Sequence, residues 1–151
     1  MKKIIILILI AVTIAISMIF VNYTEYRNKL AQVNKINKEF TVYENNIIQI
    51  STVITIMNKA IQLNTENDIP KDENNFFIEN ETNSIKVFLE IKSRGSVIPM
   101  EDLILGKKAG IEKVSFAFSD MLFQIGKIEY HEKTGQVKKI TILAKEEIEN
   151  T

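Results

Sequence analysis

The pattern of apolar and polar positions divides the chain into an apolar start and an amphipathic remainder. Residues 4–21 carry no charge, and their only polar members are Thr13 and Ser17. As a helix that rises about 1.5 Å per residue, this run reaches roughly 27 Å, close to the thickness of a bilayer core. The remaining residues are too few to bury such a helix on every side. The pattern therefore predicts a membrane-spanning segment made of Ile4, Ile5, Ile6, Leu7, Ile8, Leu9, Ile10, Ala11, Val12, Thr13, Ile14, Ala15, Ile16, Ser17, Met18, Ile19, Phe20 and Val21.

The fate of this segment has two interpretations. A signal peptide also has a basic start and an apolar run, and it ends at a small-x-small cleavage site such as Ala15-Ile16-Ser17. However, residues 18–21 continue the apolar run beyond that site, which favours an uncleaved anchor. Residues 1–22 are therefore predicted to be a membrane anchor, with a cleaved signal peptide as the alternative.

The basic residues indicate the orientation. Lys2 and Lys3 precede the span without a neighbouring acid, whereas Glu25, Arg27 and Lys29 follow it as a mixed group. By the positive-inside rule the N-terminus lies in the cytoplasm. The predicted localisation is the cell membrane, in a single pass, with the C-terminal domain extracytoplasmic.

After the span, the apolar residues follow helical spacing. They recur at alternating steps of four and three, the pattern of one helical stripe. A break is expected at 44–46, so residues 23–46 form a stem and a second helix runs from about Ser51 to Asn64. A strand over 47–56 is the alternative. We expect this apolar stripe to pack on the chain's own sheet rather than on a partner helix in a coiled coil. The stripe comprises Tyr26, Val33, Ile36, Phe40, Tyr43, Ile47, Ile50, Ile54, Met57 and Ile61.

In the second half of the chain, the pattern of apolar and polar residues predicts strands. Residues 84–91 alternate between apolar and polar, and residues 76–78 are read as a shorter strand. Residues 122–130 and 136–144 flank a turn at 131–135 that ends in glycine, which predicts a hairpin.

The segment between the strand at 84–91 and the hairpin has a less distinct pattern. Pro99 followed by two acids predicts the first turn of a helix that Gly106 ends. A short helix over 110–118 is favoured, but alternation there also fits a strand, so residues 107–119 stay open. The predicted fold class is α+β. The anchor and helical stem precede an extracytoplasmic domain over 47–151, in which a helix packs on a small antiparallel sheet of about four strands.

Composition excludes several kinds of function. The chain has 19 basic and 19 acidic residues and no cysteine. No net positive field attracts nucleic acid, and disulfides and thiolate metal sites are excluded. The loop acids Asp68, Asp72 and Glu73 lack the spacing and the glycine of a calcium loop, so no metal site is predicted.

The sequence also contains few candidate catalytic residues. His131 is the one histidine, and we expect its side chain to face solvent beside the hairpin turn. No serine lies in a nucleophile elbow, and the glycines form no phosphate-binding loop. We therefore predict no catalytic, cofactor-binding or metal residues, and no enzyme. A surface hydrolase is the less favoured alternative.

Several segments resemble known proteins. TVITIMNKAIQLNTEND, KDENNFFIEN, NSIKVFLEIK and KIEYHEKTGQVKKI, within residues 50–143, resemble a group of small, single-span, uncharacterised bacterial proteins of Gram-positive type. The resemblance implies a membrane-anchored domain without a known activity. The architecture is also similar to type IV pilins and pseudopilins. This chain departs from them because no glycine precedes the apolar run and no glutamate lies within it.

The expected function is accordingly a non-enzymatic binding or scaffolding module of the cell envelope. Its expected partners are the membrane, an unidentified envelope protein and, through the helical stem, a second copy of itself. No nucleic acid and no cofactor are expected. A pilin-like assembly subunit and a secreted binding protein remain as alternatives.

Overall fold

The computed structural model of the chain describes residues 2–92, 95–105 and 118–145, and it has the predicted α+β class. The chain divides into two compact units, Met1–Lys35 and Ile36–Thr151. The elements in chain order are helix α1 (Lys2–Thr41), strand β1 (Ile48–Gln49), helix α2 (Ile50–Glu66), strands β2 (Lys86–Ile91) and β3 (Ser96–Pro99), a π-helical turn (Glu101–Leu105), and strands β4 (Leu122–Tyr130) and β5 (Val137–Lys145).

The two helices agree with the apolar spacing. Helix α1 contains no glycine or proline and ends at Thr41, just before the predicted break at 44–46. Asn45 has a positive φ of 63°, a conformation that asparagine tolerates better than most residues and that a helix does not contain. The chain then re-enters a helix at Ile50, one residue from the predicted start.

The predicted packing of the apolar stripe on the chain's own sheet is confirmed for most of its length. One continuous core contains side chains from the end of α1, from α2 and from the strands. Each such side chain contributes about 1.5–3 kcal/mol when it leaves water, so this cluster supplies the main stabilisation of the domain. The stripe residues buried in it are Ile36, Phe40, Ile50, Ile54 and Met57.

The sheet differs from the prediction in strand number and direction. Among the described residues it has five strands in the order β1-β4-β5-β2-β3, and β2 pairs with β5 in parallel, so it is mixed rather than wholly antiparallel. The register places Val87 opposite Ile140 and Leu89 opposite Ile142. All four side chains are buried, so the parallel register aligns the apolar faces of the two strands.

One smaller prediction was wrong, and another was displaced by two residues. Residues 76–78 form no strand, and Phe77 makes only an isolated bridge with Lys71. The helix predicted before Gly106 is present as the π-helical turn Glu101–Leu105, with Glu101 and Asp102 in its first turn, but Pro99 precedes it as the end of β3, opposite Phe88. A proline is tolerated there because β3 is at the edge of the sheet formed by the described strands, where its missing N–H interrupts no ladder. Gly106 and the predicted helix over 110–118 fall outside the described residues, except for Phe118.

The predicted hairpin is confirmed. Strands β4 and β5 pair in antiparallel register, and the Gly135 amide donates to the His131 carbonyl at 2.8 Å. Gly135 has a φ of 69°, which a residue without a side chain adopts at little cost. Gly126 lies where the register shifts, and a Cβ there would lie 2.6 Å from the Leu143 side chain. Glycine at 126 therefore leaves the space that Leu143 occupies.

Candidate functional site

The most distinctive feature of the first unit is the uncovered apolar surface of its helix. Thirteen large apolar side chains within residues 4–21 are between 49% and 69% exposed. At about 0.3–0.6 kcal/mol each, their insertion into a bilayer would gain roughly 4–8 kcal/mol in total. Within the described residues, one helix is long and apolar enough to cross a membrane, and this segment lies in it.

The polar groups of the apolar segment are satisfied within the helix. The Thr13 hydroxyl donates to the Leu9 carbonyl at 2.8 Å, and the Ser17 hydroxyl donates to the Thr13 carbonyl at 2.8 Å. In hydrocarbon, no water is available to receive these protons. The two hydroxyls that interrupt the apolar run are therefore compatible with a lipid environment.

Two of the first three charged residues after the apolar segment, Glu25 and Lys29, form an ion pair. Lys29 Nζ lies 2.8 Å from a Glu25 carboxylate oxygen, one helical turn away. The hydrogen bond and the positive charge of Lys29 lower the pKa of Glu25 below its ordinary value. Both side chains are largely exposed.

In the second unit, the hairpin turn borders an open cleft of about 460 Å³. Three acidic and two basic side chains line it, with one tyrosine and the one histidine of the chain. The lining residues are Glu81, Glu129, Tyr130, His131, Glu132, Lys133 and Lys138.

His131 does not face solvent as predicted. It is 3% exposed, and its Nε2 lies 2.8 Å from the Ser84 carbonyl oxygen. Because a carbonyl only accepts hydrogen bonds, Nε2 carries the proton and donates it. The register of the hairpin shifts between Glu129 and Tyr130, so simple alternation no longer predicts which way the next side chain points. The ring has a structural bond and no neighbouring nucleophile among the described hydrogen bonds.

Further contacts attach the loop before β2 to the hairpin turn. The Thr134 hydroxyl donates to the Thr82 carbonyl at 2.6 Å, and Gln136 Nε2 donates to the Asn83 carbonyl at 3.1 Å. Lys133 forms an ion pair with Glu81. Together with the His131 bond, these contacts hold residues 81–84 against residues 131–136. The cleft residues Glu81, His131 and Lys133 thus take part in the contacts that join the loop before β2 to the hairpin turn.

The loop is also organised from within by one side chain. Asn80 Oδ1 accepts hydrogen bonds from the backbone amides of Thr82, Asn83 and Ser84, at 2.9–3.0 Å. This arrangement turns the backbone sharply and presents the loop carbonyls to the hairpin. The cleft therefore has a fixed polar wall.

Two side chains in the cleft lining have pKa values shifted from the ordinary ones. A hydrogen bond from Lys127 lowers the pKa of Glu129, so this carboxylate stays ionised to lower pH than an isolated one. Partial burial raises the pKa of Tyr130, and the Glu44 carboxylate adds to the effect. Tyr130 is consequently a neutral hydrogen-bonding group at ordinary pH.

Two asparagine side chains elsewhere, Asn64 and the partly buried Asn37, fix how the elements join, and sequence reasoning missed them. Asn64 is fully buried in α2, where Nδ2 donates to the Ile85 carbonyl at 2.7 Å and Oδ1 accepts from the Ile85 amide at 2.8 Å. Asn37 bonds the hairpin in the same way, through the Gly135 carbonyl and the Val137 amide. The only sequence signal was an asparagine on an otherwise apolar face.

A buried ion pair joins β2 to the π-helical turn. Glu101 is 3% exposed, and its Oε1 accepts from Lys86 Nζ at 2.9 Å and from the Phe77 amide at 3.2 Å. Breaking such a pair by removing one partner would leave the other charge buried without compensation. The pair is therefore a fixed structural connection.

The described residues offer no cluster of three or more histidine, aspartate or glutamate side chains placed to hold a metal ion. In the acidic loop after α2, Asp72 Oδ1 accepts hydrogen bonds from the Asn74 and Phe76 amides, both at 2.9 Å. This carboxylate thus shapes its own loop.

Comparison of the chain with protein-family models, with curated proteins and with solved structures finds no match.

Proposed function

We propose that the chain is a single-pass membrane protein whose C-terminal domain lies outside the cytoplasm and binds or scaffolds another component of the cell envelope. The observation that carries the proposal is the uncovered apolar segment at residues 4–21 of α1. The domain's role follows from tethering, because confinement to the membrane surface raises its effective concentration for neighbours there.

The proposed orientation is supported by charge. Lys2 and Lys3 flank one end of the apolar segment without a neighbouring acid, whereas the other end is followed by Glu25, Arg27 and Lys29, a group in which Lys29 pairs with Glu25 and one net positive charge is left. Positive charge is retained on the cytoplasmic side of membrane spans. Residues beyond the span are accordingly assigned to the extracytoplasmic side.

A binding role fits the cleft better than a catalytic one. The ring of His131 is buried and bonded to a backbone carbonyl, whereas a general base must reach a substrate proton. Lys133 is paired with Glu81, and Lys138 lies 3.9 Å from Glu79. A charged, loop-braced surface of this kind offers polar contacts to a partner.

Cell fractionation tests the anchoring. The full-length chain is expected in the membrane fraction after extraction with alkaline carbonate, at the mass of the uncleaved protein. The control is a peripheral membrane protein of the same cells, which carbonate releases. A product in the medium that lacks the first 17 residues would show that the segment is a cleaved signal peptide rather than an anchor. Full-length protein in the soluble fraction would contradict the proposal.

A further inference from the structure

Between the apolar span and the folded domain, helix α1 carries its large apolar residues on one side. Within residues 22–35 they occur at steps of three, four and three. This spacing places them along one line of the helix surface, over about 15 Å. We call this line the stem stripe, which consists of Tyr23, Tyr26, Leu30 and Val33.

Three of the four side chains of the stem stripe are exposed in the single chain, and Val33 is half-buried. Tyr23 is 58% exposed, Tyr26 is 64% exposed and Leu30 is 42% exposed. One turn further along, Ile36 and Phe40 are buried in the core of the folded domain. The last turns of α1 therefore belong to the core of the folded domain, whereas Tyr23, Tyr26 and Leu30 are exposed apolar side chains.

The geometry of the stripe is that of a seam between two like helices. Alternating steps of three and four keep apolar side chains facing a partner helix that coils around the first. Helix α1 has no glycine or proline that would break this line.

We infer that two copies of the chain pair in parallel and in register along the stem stripe. The inference rests on the proposed anchoring, because two copies with the same span and orientation present parallel helices with their stripes at the same height. A second copy is thus the one partner that necessarily carries a matching stripe at the matching distance from the membrane.

The charges beside the stripe permit this pairing. In a parallel pair, the flanking positions of one helix face those of its partner five residues further on. Asn22 then faces Arg27, and Lys29 faces Asn34, so no two like charges oppose each other. Lys29 is in addition paired with Glu25 of its own helix at 2.8 Å.

The length of the stripe determines where the pair forms. Two heptads are fewer than the about three to four that mark a coiled coil in a soluble chain. Confinement of both copies to one membrane raises their effective concentration and compensates for the short seam. Pairing is consequently expected in the membrane and at physiological amounts of the full chain.

Disulfide cross-linking in native membranes tests the inference, because the chain has no cysteine of its own. Leu30→Cys places a thiol on the stripe, and Asn28→Cys, two residues away and on the opposite side of the helix, is the matched control. Cα atoms must lie within about 7 Å for a disulfide, so mild oxidation should link Leu30→Cys into a product of twice the chain mass at least about fivefold more efficiently than Asn28→Cys. Val33→Cys should behave as Leu30→Cys does.

Other outcomes overturn the inference. Equal yields of the linked product from Asn28→Cys and Leu30→Cys would indicate random collision. The absence of a linked product from both Leu30→Cys and Val33→Cys would show that the stripes of two copies do not lie close together. A linked product of another mass would show that the stripe contacts a different protein. Each variant is first located by carbonate extraction. A variant absent from the membrane contradicts the proposed anchoring as well, whereas membrane-bound variants without a stripe-specific link contradict the pairing alone.

Discussion

A chain with Val12→Arg and Ile16→Arg together is expected to lose its carbonate-resistant membrane association, whereas Val12→Arg alone should largely keep it. The fourteen large apolar residues of the span each favour insertion by roughly 0.3–0.6 kcal/mol, about 4–8 kcal/mol in total. One arginine at the centre costs about 3 kcal/mol and leaves a favourable balance, but two cost about 6 kcal/mol and also remove two apolar residues. The measurement is the carbonate-resistant fraction of each variant.

The matched control places the same charges outside the span. Asn28→Arg and Gln32→Arg lie at the same four-residue spacing, on exposed positions of the stem away from the stem stripe. This double variant should stay in the membrane as the unaltered chain does. If it leaves the membrane to the same extent, added charge rather than loss of the apolar segment is responsible, and the anchoring account fails.

Replacing Asn64 with alanine is expected to destabilise the folded domain by about 3 kcal/mol, because two buried backbone groups lose their partner. The amide and the carbonyl of Ile85 both bond the Asn64 side chain, and Ile85 is fully buried. Each unsatisfied group costs about 1–3 kcal/mol. Urea unfolding of the full chain in detergent micelles, followed by circular dichroism, measures the change.

Asn58→Ala is the control for this prediction. Asn58 lies on the exposed face of the same helix, and an exposed asparagine-to-alanine change should alter stability by no more than about 0.7 kcal/mol, the range of helix propensity. Equal unfolding midpoints for the two variants would mean that Asn64 has no special role in joining α2 to β2.

The parts of the fold that depend on local pattern were predictable from the sequence. The apolar spacing located both helices, and the turn ending in Gly135 located the β4–β5 hairpin. Such signals are local because a helix stripe or a tight turn is specified by residues close together in the chain.

The strand pairing was not predictable in the same way. Strand β2 pairs in parallel with β5 across a separation of 53 residues, Val87 to Ile140, and alternation alone does not distinguish this from an antiparallel arrangement. Alternation gives the buried face of a strand but neither its neighbours nor their direction.

The polar connections were missed for a related reason. His131 and Asn64 are buried because distant carbonyls and amides face them, at Ser84 and Ile85. A polar residue is assigned to the surface unless its partner is known, and the partners lie 47 and 21 residues away in the chain.

Labelling from outside the cell tests the central claim, an anchored domain that faces outward. Glu73→Cys introduces one thiol at an exposed turn after α2 in a chain without cysteine. Intact cells are treated with a membrane-impermeant maleimide, and a cytoplasmic cysteine-containing protein serves as the control for leakage. The account predicts labelled, full-length, cell-bound protein while the control stays unlabelled. Label that appears only after lysis would place the domain in the cytoplasm and contradict the account.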